Sequence, residues 1–330
     1  MKEVLNALFE YKSLNENQAK DILMRLAQGE YNASQMASFL TVYLMRSITV
    51  QELEGFRDAM LELCVPVAID EYDPIDLCGT GGDGKDTFNI STLSSFVVAG
   101  AGQQVAKHGN NGVSSVCGSS NLLAHFGYEF SNDVSRLKAE LNRAGICFLH
   151  APLFHPAMKN VAPIRRELGV KTFFNMLGPM VNPAFPGKQL VGVFNLELAR
   201  LYAYLYQQTS KRFVILHSLD GYDEISLTGP FKVIDNNEEM LLHPEDLGLR
   251  QHQPADLHGG DSIAASAEIF MNILNGQGTE AQNDVVAANA GMALYCAGRA
   301  DSIRKAVEMA KESLHNGAAL KSFNALTNNE

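Results

Sequence analysis

Residues 78–92 read Cys-Gly-Thr-Gly-Gly-Asp-Gly-Lys-Asp-Thr-Phe-Asn-Ile-Ser-Thr and carry the strongest structural signal in the chain. They follow a short strand predicted at Ile75–Cys78 and precede an Ala/Ser/Val-rich helix predicted at Ser91–Ala101. Free N–H groups in such a glycine loop, with the N-terminus of the next helix, form an anion site. The alternative is a flexible glycine-rich turn without a ligand. The spacing matches neither a P-loop nor a Rossmann dinucleotide loop.

Strands and helices alternate after this loop, and the alternation predicts a mainly parallel sheet covered by helices. Helices are predicted near residues 118–126, 133–144, 195–208, 262–274, 281–297 and 300–315. Further strands are predicted at Val105–Ala106, Ile146–Leu149, Leu190–Phe194, Phe213–Leu216 and Glu224–Leu227, with an antiparallel excursion near residues 231–242.

The first 65 residues show helical periodicity only. Their predicted helix starts are a capping box from Ser13 to Glu16, a cap at Asn32 or Ser34, and a capping box from Thr49 to Glu52. Four short helices cannot cover their own apolar faces, so we expect a helical domain over residues 1–66 that packs on something else, such as a partner subunit. A proline-rich return segment is predicted near residues 163–186, and residues 67–330 are predicted to form the α/β domain.

Charge and cysteine usage exclude several classes of protein. The 330 residues include 26 basic and 37 acidic ones, a net charge of −11, which argues against non-specific nucleic-acid binding. The apolar runs are too short to span a membrane, and the N-terminus is typical of an amphipathic helix rather than a secretory signal. Five scattered cysteines without a C-x-x-C pair suit a reducing cytoplasm.

Residues 107–115, Lys-His-Gly-Asn-Asn-Gly-Val-Ser-Ser, follow the next predicted strand. Because the carboxyl ends of parallel strands lie at one edge of a sheet, this loop should lie beside the first. Lys107 supplies a cation for phosphate, and Ser114 and Ser115 supply hydroxyls. In isolation such a pair of basic residues is usually solvated surface. His108 is expected to be structural or positioning, because it has no visible nucleophile or metal partner.

Two further segments carry charge. Asp223 and Glu224 are ordinary surface acids in isolation, but beside a polyphosphate they are hard oxygen ligands for Mg²⁺. In residues 155–166, His-Pro-Ala-Met-Lys-Asn-Val-Ala-Pro-Ile-Arg-Arg, either Arg165 or Arg166 is able to grip a planar carboxylate with two hydrogen bonds. The alternative for this run is a charged surface helix.

Together these motifs resemble the anthranilate phosphoribosyltransferase family over nearly the whole chain. Each motif alone is unspecific, whereas their order and spacing are highly specific. The resemblance rests on Gly79–Asp83, Asn89–Thr92, Lys107–Asn110, the run from His155 through Arg166 to Pro179, Asn182–Ala184 and Asp223–Ser226.

The resemblance implies a small all-helical N-terminal domain and a larger α/β domain with a mainly parallel, nucleoside phosphorylase-like sheet. It implies a homodimer formed through the helical domains. The implied reaction transfers the phosphoribosyl group of phosphoribosyl pyrophosphate to the amine of anthranilate, with Mg²⁺ as cofactor, in tryptophan biosynthesis. Such an enzyme is a pentosyltransferase of the cytoplasm, with no nucleic-acid or membrane partner.

By residue match, the resemblance also implies the site residues. Implied Mg²⁺ ligands are Ser91, Asp223 and Glu224, and implied anthranilate contacts are Gly79, Asn110 and Arg165. We predict no general acid or base; Lys107 and Arg165 are expected to matter most, through electrostatics and positioning. Phosphoribosyl pyrophosphate would be held by Gly79, Gly82, Asp83, Thr87, Asn89, Ile90, Ser91, Thr92, Lys107, His108, Gly109, Asn110, Asn111, Gly112, Val113, Ser114, Ser115 and Ser119.

The sequence departs from the family pattern at Asn111, Val116 and Asn121, where the family usually has Arg, often Lys and often Asp. Two cations are therefore absent beside the expected phosphate loop. The alternative functions are a pyrimidine nucleoside phosphorylase-like enzyme and a non-catalytic nucleic-acid-binding relative. Phosphate-dependent release of base from thymidine would indicate the first, and salt-sensitive DNA retention the second.

Overall fold

The chain is described by a computed structural model over residues 1–112 and 116–327. It divides into two compact units. The helical unit comprises residues 1–67 and 151–185, and the α/β unit comprises residues 68–150 and the chain from residue 186 onward. The second segment of the helical unit begins at Ala151, earlier than the predicted return near residue 163. The N–H of Val65 donates to the carbonyl of Phe154 at 2.8 Å, which fastens this earlier stretch to the first segment.

The element bounds are as follows. In chain order the α-helices are α1 Lys2–Phe9, α2 Glu16–Ala27, α3 Ala33–Met45, α4 Val50–Glu62, α5 Ile90–Gly100, α6 Ser119–His125, α7 Val134–Ala144, α8 Ala151–Phe154, α9 Ala162–Leu168, α10 Phe174–Leu177, α11 Leu196–Gln207, α12 Ile263–Leu274, α13 Glu280–Cys296, α14 Ile303–His315 and α15 Ala318–Thr327. The strands are β1 Ile75–Gly79, β2 Val105–Gly109, β3 Ile146–His150, β4 Lys188–Gly192, β5 Arg212–Ser218, β6 Phe231–Asp235 and β7 Glu239–Leu242. Within the described residues, no helix has the length and apolar character needed to cross a membrane.

Side-chain caps start the first helices, though not all where the sequence predicts them. The predicted capping box from Ser13 to Glu16 is wrong. Asn15 is the N-cap of α2 instead, because its Oδ1 accepts from the N–H of Gln18 at 2.9 Å. Of the two candidates for α3, Asn32 is the cap. The capping box from Thr49 to Glu52 is confirmed at the start of α4.

The helical unit has its own aromatic core. Phe39, Phe56 and Phe173 are at most 1% exposed, and the rings of Phe56 and Phe173 stack with centroids 4.5 Å apart. Phe173 comes from the second segment, so that segment covers apolar faces of α3 and α4. Beneath this cluster the fully buried Glu52 accepts hydrogen bonds from the N–H of Leu14 at 3.0 Å and from Arg46 Nη1 at 2.9 Å.

The α/β unit is built on one seven-stranded sheet of order β3-β2-β1-β4-β5-β6-β7. Strands β1 to β5 are parallel, and β6 and β7 are antiparallel to their neighbours. The predicted parallel sheet and its antiparallel excursion are confirmed. The predicted strand at Glu224–Leu227 is wrong, because these residues pair with no strand of the described chain; the carbonyl of Glu224 and the N–H of Ile225 bond to side chains instead. Helix α15 was not predicted.

Strand order places a topological switch point between β1 and β4. The chain runs from β1 outward to β2 and β3, then returns to β4 on the other side of β1. At the carboxyl end of this pair, Gly79 lies opposite Gly192 in register. Ligands of open α/β sheets bind in the crevice outside the strand ends at such a point. The glycine loop of residues 80–89 starts there.

Candidate active site

The glycine loop leaves β1 at the switch point and is fastened at both ends. At its start the N–H of Thr80 donates to the carbonyl of Gly192 at 2.9 Å. At its end the N–H of Phe88 donates to the carbonyl of Leu257 at 3.1 Å. Gly81 has φ +64°, a left-handed conformation that glycine adopts without strain. These contacts hold the glycine loop at the carboxyl edge of the sheet.

The two predicted metal acids meet this loop. The carboxylate of Asp223 accepts from the N–H of Gly81 at 2.6 Å. The carboxylate of Glu224 accepts from the N–H of Ser91 at 2.9 Å, at the start of α5, and from Thr87 Oγ1 at 3.4 Å. Residues distant in sequence are therefore brought together as the sequence predicts, with Glu224 at the positive end of a helix.

Three carboxylates crowd at this point. The N–H of Asp223 lies 3.5 Å from Asp83 Oδ2. Burial, followed by repulsion from Asp83, raises the pKa of Asp223. Burial and the neighbouring Asp223 likewise raise the pKa of Glu224. Like charges in a poorly solvated place resist ionisation unless a cation joins them.

The residues present fit a hard divalent cation shared with a ligand. Ser91, Asp223 and Glu224 present hydroxyl and carboxylate oxygens, the ligand type that Mg²⁺ prefers. Magnesium usually takes one or two protein carboxylates and completes its shell with phosphate oxygens and water. Among residues 1–112 and 116–327, no group of three or more His, Cys, Asp or Glu side chains is arranged to hold a metal.

Lys107 lies under the loop, on β2. Its ammonium group donates to the carbonyl of Leu77 at 2.7 Å and to Ser91 Oγ at 3.3 Å, and the residue is 2% exposed. Burial lowers the pKa of Lys107, and the nearby Asp76 opposes that shift. The cation is therefore fixed below the hydroxyl of Ser91, adjacent to the predicted metal acids, rather than extended over the loop surface.

The second predicted loop follows β2 and turns back onto α6. The carbonyl of Asn110 accepts from the N–H of Ser120 at 3.1 Å and from Ser119 Oγ at 3.4 Å. Asn121 Oδ1 accepts from the N–H groups of Gly112 and Gly118, at 2.8 and 3.1 Å. The side chain of Asn121 thus ties together the two ends of the loop. Val113, Ser114 and Ser115 lie outside the described residues.

Other predicted residues have structural contacts of their own. Asn89 Nδ2 donates to the carbonyl of Cys117 at 3.0 Å, which ties the end of the first loop to the second. The N–H of His108 donates to Asp76 Oδ1 at 3.3 Å. Ile90 and Thr92 are 0% and 1% exposed, so their contact with substrate stays a prediction. Gly82 lies within the first loop, whereas Gly109 is the last residue of β2, where a Cβ would overlap Phe148 and Ser119.

Arg165 belongs to the helical unit, on α9. Its Nη2 donates to Asn175 Oδ1 at 3.2 Å, and its guanidinium carbon lies 5.2 Å from the ring centroid of Phe174. Burial lowers the pKa of Arg165. The neighbouring Arg166 is exposed. Of the two candidate arginines, Arg165 is therefore the one whose side chain is held in place.

Sequence reasoning missed two residues that hold the acids. Ser218 Oγ donates to the carbonyl of Glu224 at 2.7 Å, and Asn289 exchanges hydrogen bonds with the main chain of Ile225. One sequence signal was available for Asn289. It is an amide in the middle of an otherwise apolar run, Val285–Leu294, where an unpaired polar group would be costly.

Comparisons with known proteins first define the class. The helical bundle domain of the glycosyl transferase family matches residues 2–64, and the a/b domain of the same family matches residues 71–320. This chain is therefore a glycosyl transferase of the two-domain type.

Individual relatives indicate which family within this class the chain belongs to. The anthranilate phosphoribosyltransferase of Flavobacterium psychrophilum is 61% identical over 99% of this chain and 98% of its own length. The crystal structure of anthranilate phosphoribosyltransferase from Thermus thermophilus superposes with a TM-score of 0.90, at 34% identity, over 98% of both chains. The Saccharomyces cerevisiae enzyme in complex with PRPP and Mg also gives 0.90, at 26% identity, over 98% of this chain and 96% of that one.

The chain belongs to the anthranilate phosphoribosyltransferase family. This membership confirms the predicted family and the predicted enzyme class. It also confirms the predicted fold class, a helical N-terminal domain followed by an α/β domain with a mainly parallel sheet.

Proposed function

We propose that this chain transfers the phosphoribosyl group of phosphoribosyl pyrophosphate to the amine of anthranilate, releasing pyrophosphate. One observation carries the proposal: a glycine loop, a helix N-terminus and two acids meet at the switch point of the sheet. N–H donors bind a polyphosphate, and carboxylates bind the metal ion that accompanies it. The arrangement therefore suits a substrate that is a polyphosphate with a bound metal ion. Names of relatives with 60% and 61% identity support the same reaction.

Phosphoribosyl pyrophosphate would bind to the two loops that follow β1 and β2. Main-chain N–H groups of the glycine loop and the hydroxyls of Thr87 and Ser91 are its proposed donors. Lys107 adds a fixed positive charge below them. Such preorganised donors stabilise charge that develops on the leaving pyrophosphate.

Ser91, Asp223 and Glu224 would hold Mg²⁺ together with phosphate oxygens of the substrate. When bound, Mg²⁺ supplies a template and positive charge for the leaving group. The crowding of Asp83, Asp223 and Glu224 supports a cation here, because a divalent ion removes the repulsion between their carboxylates.

Anthranilate would be contacted by Gly79, Asn110 and Arg165. The planar fork of a guanidinium matches a carboxylate, and Asn175 and Phe174 hold Arg165 in one orientation. An aromatic amine is neutral near pH 7, so attack needs no prior loss of a proton. Positioning of the amine then supplies much of the rate enhancement.

The three departures from the family pattern lie around the second loop. Asn121 accepts from the N–H groups of Gly112 and Gly118, a role that an aspartate at this position would also fill. Asn111 and Val116 are exposed and uncharged. We therefore propose that the loop keeps its shape while substrate phosphates receive fewer cationic contacts.

The reaction is tested by mixing the protein with anthranilate, phosphoribosyl pyrophosphate and MgCl₂ and following anthranilate fluorescence. We expect a loss of fluorescence that EDTA abolishes. No loss with folded protein would contradict the proposal. Phosphate-dependent release of thymine from thymidine would favour the nucleoside phosphorylase alternative instead.

We also propose that the protein is a homodimer formed through the helical unit. Phe9, Tyr11 and Met45 are 58%, 85% and 81% exposed, and they line one groove of about 470 Å³ with neighbours on α1 and α3. Exposed apolar clusters of this kind mark interfaces. Light scattering should report a dimer for the parent chain and a monomer for Met45→Glu. The matched control is Leu241→Glu, which places the same charge at a half-exposed leucine of the α/β unit.

We propose a cytoplasmic location because of the state of the cysteines. All five carry free thiols, and four of them are buried. Thiols persist in a reducing compartment. Fractionation of the producing cells tests this, since recovery in the membrane or exported fraction would contradict it.

A further inference from the structure

The segment between β5 and β6 carries Asp223 and Glu224 but is neither strand nor helix. Buried main-chain N–H and C=O groups need partners, and the sheet ladder supplies none here. Two side chains supply them instead. Ser218 Oγ donates to the carbonyl of Glu224 at 2.7 Å, and Asn289 bonds to both main-chain groups of Ile225.

Asn289 lies on α13, a buried helix that packs against α5, β4 and β5. It is 4% exposed. Its Oδ1 accepts from the N–H of Ile225 at 3.0 Å, while its Nδ2 donates to the carbonyls of Ile225 and Val285 at 2.9 and 2.8 Å. Both N–H donors of the amide are therefore used, which fixes its orientation.

The side chain of Asn289 also lies close to Asp223 and Glu224, the proposed metal ligands. With Asp223, Glu224, Ser91 and Ser94, Asn289 lines a small internal cavity of about 10 Å³. Ser91 is also the residue whose N–H donates to the carboxylate of Glu224. The carboxylates of Asp223 and Glu224 are thus held by the N–H groups of Gly81 and Ser91, while Ser218 holds the carbonyl of Glu224 and Asn289 holds the main chain of the next residue, Ile225.

We propose that Asn289 is a positioning residue for the Mg²⁺ ligands and that Ser218 assists it. This inference rests on the proposed function, because it assigns these residues a role toward its metal site. Replacing Asn289 leaves a buried N–H and C=O of Ile225 unpaired, and the segment relaxes to pair them elsewhere. Residues that orient metal ligands typically change metal affinity by about 10–100-fold when they are removed.

Two variants and two matched controls test the inference. Asn289→Leu keeps the side-chain size and removes the amide, and Ser218→Ala removes the bond to Glu224. Asn283→Leu is the same change on the same helix, at a residue that bonds Gly278 instead. Ser313→Ala removes another buried hydroxyl, which donates to the carbonyl of Val97 at 2.8 Å. Far-UV circular dichroism establishes that each variant is folded.

The primary readout is thermal denaturation in MgCl₂ at a fixed concentration of phosphoribosyl pyrophosphate. We expect Asn289→Leu and Ser218→Ala to need about 10–100-fold more MgCl₂ for half of the rise in Tm. The controls should match the parent chain. The MgCl₂ needed for half-maximal activity should shift in parallel, with the KM for anthranilate unchanged.

The outcomes separate this inference from the function on which it rests. A lower Tm with an unshifted MgCl₂ midpoint would show a merely structural role and overturn the inference alone. Should Asn289→Leu not fold, Ser218→Ala decides by the same criterion. A parent chain that does not respond to MgCl₂ would overturn the metal site of the proposed function, and this inference with it.

Discussion

A methyl group at Gly79 would overlap the carboxylate of Asp223, which lies against the end of β1. Gly192 also lies against Asp223, because a Cβ at Gly192 would overlap the main-chain carbonyl of that aspartate. Two glycines paired in register across the switch point therefore make the space that Asp223 occupies. Glycine is needed at the ends of β1 and β4 for close approach, although neither residue has a positive φ.

Gly79→Ala should displace Asp223 and weaken the metal site. We expect the concentration of MgCl₂ for half-maximal activity to rise by about 10–100-fold, as for other losses of ligand orientation. Gly187→Ala is the control, because a Cβ there meets no atom within 4 Å. Initial rates over a MgCl₂ series measure the effect, and equal midpoints for the two variants would contradict it.

The acids themselves are tested by the double change Asp223→Asn with Glu224→Gln. Both substitutions keep size and remove the charge that a hard cation requires, so the Mg²⁺ dependence of activity should weaken strongly. Glu245→Gln with Asp246→Asn alters another adjacent acid pair, at the start of a 3-10 helix, and should leave the titration unchanged. A parental metal titration in the first double variant would exclude the ligand role.

Local sequence patterns predicted the position of the glycine loop and most strands and helices, whereas the role of Asp223 and Glu224 as metal ligands stays a prediction. The loop could be recognised because glycines and hydroxyl residues of the kind that bind phosphate are concentrated between Gly79 and Thr92. Helix starts were predicted less accurately. Asn15 rather than Ser13 caps α2, although both residue types are favoured at the N-cap. The competition between neighbouring caps is settled by backbone geometry that composition does not reveal.

The failure at residues 224–227 has a longer-range cause. Polar and apolar residues alternate in Glu224–Leu227, a pattern that predicts a strand, yet Ile225 pairs with the side chain of Asn289 on a helix far along the chain. A side-chain amide replaces the sheet ladder there. No local pattern around residue 225 reports on such a partner, so the true conformation could be found only from the tertiary structure.

Arg165→Ala should raise the KM for anthranilate by about 10–100-fold, because a hydrogen-bonded charge pair contributes about 1.5–3 kcal/mol. The KM for phosphoribosyl pyrophosphate should change much less. Arg166→Ala is a close control, since it removes an exposed guanidinium from the adjacent position. Steady-state kinetics with each substrate varied in turn separate the two. Equal anthranilate KM values for Arg165→Ala and the parent chain would exclude the carboxylate contact.

The stability of the helical unit should fall on mild acidification because of His155. Burial lowers the pKa of His155 to about 4, although the bond from its Nε2 to the carbonyl of Val181, at 2.9 Å, opposes that shift. An unfolded histidine titrates near 6.5. Between these values the unfolded chain binds a proton that the folded chain excludes, so stability decreases from about pH 6.5 down to about pH 4. The loss from this residue is about 3 kcal/mol.

Urea unfolding followed by circular dichroism at pH 7.5 and pH 5 measures this dependence. His155→Gln keeps an amide donor for Val181 and removes the titration, so its two midpoints should lie closer together than those of the parent chain. His315→Gln changes an exposed histidine at the end of α14 and should retain the parental difference. Parallel midpoints for His155→Gln and the parent chain would mean that other groups carry the acid sensitivity.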